Sequence, residues 1–134
     1  MSESDLRAIE NAYQALNAGD AQAALHVLDA DAEWHESSYI PDTGVYRGRA
    51  AIGAWLREFL ESWEEFHQEV EEMFDAGDRV VLFLHLVAKG KLSGAIVDAR
   101  YAHVWTMRNG KGTRVDGYVN REEALEAARE AVNP

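Results

Sequence analysis

Tyr101-Ala-His-Val-Trp-Thr-Met-Arg108, the turn Asn109-Gly-Lys-Gly112 and the arm Thr113-Arg-Val-Asp-Gly-Tyr-Val119 form the stretch that decides the fold. Every second residue of the first arm (Tyr101, His103, Trp105, Met107) is large, while Ala102, Val104 and Thr106 between them are smaller but hardly more polar. A strand with no clear wet face is covered on both sides. Asn109-Gly110 supplies residues that accept the positive φ of a tight hairpin. If one covered side is a hollow, His103 is a titratable group among aromatic rings.

Period two continues upstream, with strands expected at about His67 to Phe74, Arg79 to Lys89, Ala95 to Arg108 and Thr113 to Val119. Ala76-Gly-Asp78 reads as a second hairpin turn and Gly90 to Gly94 as a looser connection. Before the strands the spacing is helical. Leu6, Ile9, Tyr13 and Leu16 share one face of a first helix, which Gly19 ends and after which Asp20 caps the next. Ala24, Leu25 and Leu28 suggest a short second helix, and Ala32-Glu-Trp-His-Glu36 a brief strand. Ser37 to Arg49, with Pro41, Asp42, Gly44 and Gly48, reads as a loop. Ile52, Trp55, Leu56, Phe59, Leu60 and Trp63 make the apolar stripe of a third helix. Asn120 with Glu123 resembles a capping box opening a closing helix. The sum is an α+β chain in which a curved, mainly antiparallel sheet wraps about three N-terminal helices into a cone, with a short C-terminal helix.

Composition narrows the partners. A chain of 134 residues is expected to form one domain, residues 1–134, and its apolar content of 47% is that of a globular protein. A net charge of −11 repels phosphate, which argues against nucleic acid or an anionic membrane as partner. Without Cys there is no disulfide framework, thiolate nucleophile or zinc–sulfur site. The acidic start Met-Ser-Glu-Ser-Asp lacks the pattern of a signal peptide and no apolar run spans a membrane, so the expected location is cytoplasmic. His26, His35 and His67 show no ligand spacing, so neither a metal nor another cofactor is expected.

Asn17-Ala-Gly-Asp20, Asp31-Ala-Glu-Trp-His-Glu36, Tyr46-Arg-Gly-Arg-Ala-Ala-Ile52, Ala76-Gly-Asp-Arg-Val80, Ala102-His-Val-Trp-Thr106, Gly110-Lys111 and Arg121-Glu-Glu-Ala-Leu-Glu126 occur in an order that resembles the SnoaL-like polyketide cyclases. Their superfamily also holds ketosteroid isomerases, limonene epoxide hydrolases and nuclear transport factor two. The resemblance implies a cone-shaped barrel with an apolar pocket, usually dimerising through the outer face of the sheet. It places Glu36 at the isomerases' general base and His103 at a protonated acid of their oxyanion hole. It also turns Trp34, Tyr101, Trp105, Val115, Gly117 and Val119 inward with Leu82 and Leu84, and Phe83, His85, Ala102 and Val104 outward to a partner subunit. Two positions depart from the pattern. The oxyanion-hole tyrosine falls at Ala12, one residue before Tyr13, and the late acid of the cyclases and epoxide hydrolases falls at Gly117, beside Asp116.

Glu36 and His103 are complementary in type. A carboxylate among aromatic rings becomes a stronger base by desolvation, and an imidazole exchanges a proton near neutral pH. The plainer alternative has Glu36 ending its strand in solvent and His103 bonded within the core. Tyr13, Trp34, Tyr39, Trp55, Phe59, Trp63 and Trp105 are candidate pocket walls, although Trp55, Phe59 and Trp63 at helical spacing also suit packing. Two functions therefore stand. One is an isomerase, cyclase or hydrolase for a small apolar molecule, with Glu36 as base and His103 as electrophilic partner. The other is a non-catalytic ligand-binding or dimerisation module of the same fold.

Overall fold

The computed structural model describes residues 2–36 and 44–132. Helix α1 (Glu3–Asn17) starts where the Ser2 hydroxyl accepts the Asp5 N–H at 3.1 Å, and it buries Ile9, Ala12, Tyr13 and Leu16. Gly19 turns the chain at φ 78, and Asp20 caps α2 (Ala21–Ala24), which tightens into a single 3₁₀ turn over Leu25–Val27. Leu28, expected in that helix, opens strand β1 (Leu28–His35) instead. Aspartates at 29 and 31 are poor helix formers, and strand pairing with Gly112 buries Leu28 to 1% exposure.

The expected loop before the third helix contains a short edge strand, β2 (Val45–Arg47), paired antiparallel to β1. Gly48, at φ 89, then admits α3 (Arg49–Glu61). Trp63 lies outside that helix and begins β3 (Trp63–Ala76), where its backbone pairs with Gly90 in the sheet. β4 (Arg79–Gly90), β5 (Ile96–Arg108) and β6 (Lys111–Tyr118) follow as a meander. α4 (Arg121–Val132) opens on the expected cap, the Asn120 side chain accepting the Glu123 N–H at 2.9 Å.

The six strands run in the order β2-β1-β6-β5-β4-β3, antiparallel except where β1 lies parallel to β6. β2 and β3 are free edges, so the cone is open and not a closed barrel. On the inner face Leu82, Leu84, Trp105 and Val115 pack against Ile9, Tyr13 and Leu16 of α1 and Ile52 and Leu56 of α3. On the outer face Val81, Phe83, Ala102 and Val104 meet Ala124 and Ala128 of α4. Ala102 and Val104 thus point outward as expected, but what covers them is the chain's own last helix. This is why β5 has no wet face.

One clamp ties α1 to β3. The Asn17 amide donates to the Gln68 carbonyl at 2.9 Å and its oxygen accepts the Gln68 N–H at 2.7 Å. Losing both hydrogen bonds, part-buried, costs about 1–2 kcal/mol. Asn17→Ala should therefore lower the midpoint of urea unfolding without changing its slope.

Candidate functional site

Strand register brings the two candidate groups together. His35 lies beside Asp116 across the β1–β6 pair, so Glu36, one step on, comes level with Gly117. Gly117 in turn lies opposite His103 across β5–β6. Neighbouring strands are about 4.8 Å apart, leaving roughly 10 Å between the outer two backbones. With only a glycine between them, two long side chains can close over that gap. Glu36 Oε1 stands 3.5 Å from His103 Nε2, and each side chain is 3% exposed. Gly117, where the resemblance finds an acid missing, is the space across which this pair meets.

His103 sits in a shell of rings. Trp34 and Tyr101 each present an edge-on contact with centroids 5.4 Å from the imidazole, and Tyr13 lies at 5.9 Å. The Tyr13 hydroxyl is 2.6 Å from His103 Nδ1 and accepts the Trp105 indole N–H at 2.9 Å. Burial pushes the Tyr13 phenol far above the usual tyrosine range; the Trp105 hydrogen bond opposes this and the Glu36 charge adds to it. The phenol therefore keeps its proton. Glu36 Oε2 accepts the Trp34 indole N–H at 2.9 Å. His103 Nε2 is buried without a hydrogen-bond partner, its 3.5 Å approach to Glu36 lacking hydrogen-bond geometry.

Beside this pair lies a cavity of about 20 Å³, room for one water. Trp34, Trp55, Phe59 and Phe66 wall it, and Glu36, Gln68, Tyr101 and His103 supply its polar atoms. Of the other expected wall residues, Tyr13, Trp105, Leu82 and Val115 lie behind the cavity in the core. Trp63 meets Phe59 edge-on at 5.8 Å, with its indole N–H buried and unpartnered. Val119, expected to face inward, is 38% exposed just beyond the end of β6. Tyr39 lies outside the described residues.

Several site residues were not expected from the sequence: Leu16, Leu56, Leu60 and Phe66 line the cavity, and Gln68 and Tyr46 add a polar and a stacking contact. Gln68 donates to the Tyr101 hydroxyl from the cavity wall. Its phase was available, since Phe66, Gln68 and Val70 alternate along β3, but a polar side chain flanked by glutamates carries no mark of facing inward. Tyr46 of β2 stacks on Trp55, centroids 4.6 Å apart and planes 14° apart, and lay in the stretch read as loop. Among the described residues no three His, Asp or Glu gather as a metal ion would require, and no helix is long and apolar enough to cross a membrane.

A model of the SnoaL-like domain matches residues 9–115. No curated protein matches the chain. Among solved structures, that of TerC co-crystallised with polyporic acid is 25% identical, with 93% of this chain on 98% of that one and a TM-score of 0.75. An NTF2-like protein of unknown function from Burkholderia pseudomallei is 20% identical, covering 94% and 97% of the two chains at a TM-score of 0.78. A hypothetical protein from Catenulispora acidiphila, described as having a ketosteroid isomerase-like fold and bound to trimethylamine, is 17% identical, covering 96% and 95% at a TM-score of 0.73.

Proposed function

Because this chain belongs to the SnoaL-like family, whose fold commonly binds small ligands or acts as an isomerase, we propose that it moves a proton on a small, uncharged carbonyl compound. The observation that carries this reading is the buried approach of Glu36 Oε1 to His103 Nε2, 3.5 Å apart beside an aromatic-walled cavity. Glu36 removes a proton from the carbon next to the carbonyl. The C–H electron pair moves into the enolate, whose oxygen His103 Nε2 meets. Glu36 then returns the proton to the same carbon or, where a neighbouring C=C makes the enolate a dienolate, to the far carbon of that double bond, so that atoms and charge balance. Shielded from water, a carboxylate is a stronger base and a hydrogen bond to a developing oxyanion is worth more than in solution. Two structures similar in fold, TerC co-crystallised with polyporic acid and the Catenulispora acidiphila protein bound to trimethylamine, hold small organic molecules.

A second reading, a binding module without catalysis, draws on one observation: the cavity of about 20 Å³ admits a ligand only if its aromatic walls move.

A thermal-shift screen of uncharged carbonyl compounds tests the site shared by both readings. A ligand held at a hundred times its Kd stabilises the folded chain by about 2.7 kcal/mol. Compounds that raise the melting temperature of the wild type should lose most of that shift in His103→Ala and only part of it in Glu36→Gln, which keeps the length of the side chain. Equal shifts in all three proteins would place binding elsewhere.

A further inference from the structure

We propose that Tyr13 is a positioning residue that holds neutral His103 protonated on Nε2, so that the cavity offers a fixed hydrogen-bond donor beside Glu36 and selects ligands with a neutral, carbonyl-type acceptor oxygen. This rests on the acid–base reading only for the use made of the donor; the tautomer itself is a property of the unliganded protein.

Counting hydrogens leads to it. An indole N–H can only donate, so Trp105 Nε1 fills one acceptor position on the Tyr13 oxygen. The hydroxyl carries one hydrogen, and its other hydrogen-bond partner is His103 Nδ1. Were Nδ1 protonated, the Tyr13 oxygen would accept twice and its own hydrogen would be buried with nothing to meet. Donation from Tyr13 to a bare Nδ1 satisfies Trp105, Tyr13 and Nδ1 together. Burial keeps the phenol protonated and able to donate. A neutral imidazole has one N–H, which then falls on Nε2.

The surroundings of Nε2 agree. A hydrogen there is attracted to Glu36 Oε1 at 3.5 Å, whereas the other tautomer would set a nitrogen lone pair against a carboxylate oxygen. Nε2 is nonetheless buried without a hydrogen-bond partner, which leaves a donor for an incoming oxygen. Tyr13 does not line the cavity and acts through His103. One helical residue is a rotation of about 100°, and this is why a tyrosine at 13 meets Nδ1 from behind, where one at the Ala12 position would point elsewhere. The donor is also selective. Among the described residues no Lys or Arg lines the cavity, so a ligand carboxylate would meet Glu36 with no cation to offset it.

Long-range proton–nitrogen correlation spectra of the whole ¹⁵N-labelled chain read the tautomers of its five histidines, with His103 assigned by its loss in His103→Gln. At neutral pH Nδ1 of His103 should be pyridine-like and Nε2 pyrrole-like. Trp105→Phe should keep that pattern, since Tyr13 retains its hydrogen, and Tyr13→Phe should admit a measurable Nδ1–H fraction. A protonated Nδ1 in the wild type overturns the proposal, which keeps it falsifiable even if Tyr13→Phe does not fold. So does an unchanged tautomer in a folded Tyr13→Phe. Added cyclohexanone should move the Nε2 signal more than cyclohexanecarboxylate does; equal movement, or none with the ketone, overturns the ligand class. A correct tautomer in a protein that never exchanges a ligand proton would remove the acid–base reading and leave this one standing.

Discussion

Trp105→Ala should cost about 3–5 kcal/mol of folding stability, the range for deleting a fully buried large aromatic side chain. Trp105 is 1% exposed and joins both halves of the molecule. Its ring meets Tyr13 of α1 at 6.1 Å and Trp34 of β1 at 5.9 Å, both edge-on. The fit continues beneath it: a Cβ built on Gly112 would come within 2.8 Å of the indole, so the strand below has no atoms to spare for closing a hole. The indole also donates to Tyr13, so truncation opens a cavity and removes a hydrogen bond together. Trp105→Phe keeps most of the volume and should cost clearly less. Urea unfolding of both variants measures the difference; a loss under 1 kcal/mol in Trp105→Ala would mean that the site's back wall is not part of the core.

The second large effect falls on chemistry. With a ligand found by the screen, Glu36→Gln should lower kcat about 10²–10⁴-fold, the usual contribution of a placed general base. Glutamine keeps the side chain's length and an oxygen to accept the Trp34 N–H, so the fold should survive while the proton acceptor is lost. His103→Gln should lower the rate through the oxyanion. The double variant should lose little more than Glu36→Gln alone, because groups acting in one step are not additive. Steady-state rates decide it: a Glu36→Gln enzyme within threefold of wild type would exclude Glu36 as the base.

The inner face of the sheet was readable because strand phase is strict. Strand phase alone puts Tyr101, His103 and Trp105 on one side; that Leu82 and Leu84 share it was implied by the resemblance, and the pairings Leu82–His103 and Leu84–Tyr101 agree. The Glu36–His103 meeting is different. It depends on β1 joining the sheet parallel to β6, a long-range pairing that no local pattern announces. The same holds for Gly117, which reads as a missing acid along the chain and as a gap across three strands. β2 was hidden by its length, three residues between glycines, and Trp63 by an apolar spacing that suits a helix although its backbone pairs with Gly90 in the sheet. Tyr13 shows the limit most clearly. Helical periodicity put it on the inner face of α1 as a candidate pocket wall, but its bond to Nδ1 from behind the cavity depends on the packing of α1 against the sheet.

The central claim is that Glu36 and His103 act together on a ligand's acidic carbon, and proton exchange in D₂O tests it most directly. A carbonyl compound that binds the wild type and loses its binding in His103→Ala is incubated in D₂O and followed by NMR. Deuterium should enter the carbon next to the carbonyl with wild-type protein, and with Glu36→Gln at no more than about a hundredth of that rate. A ligand that binds beside His103, moves the Nε2 signal and gains no deuterium at any carbon would contradict the claim and make this pocket a binding site.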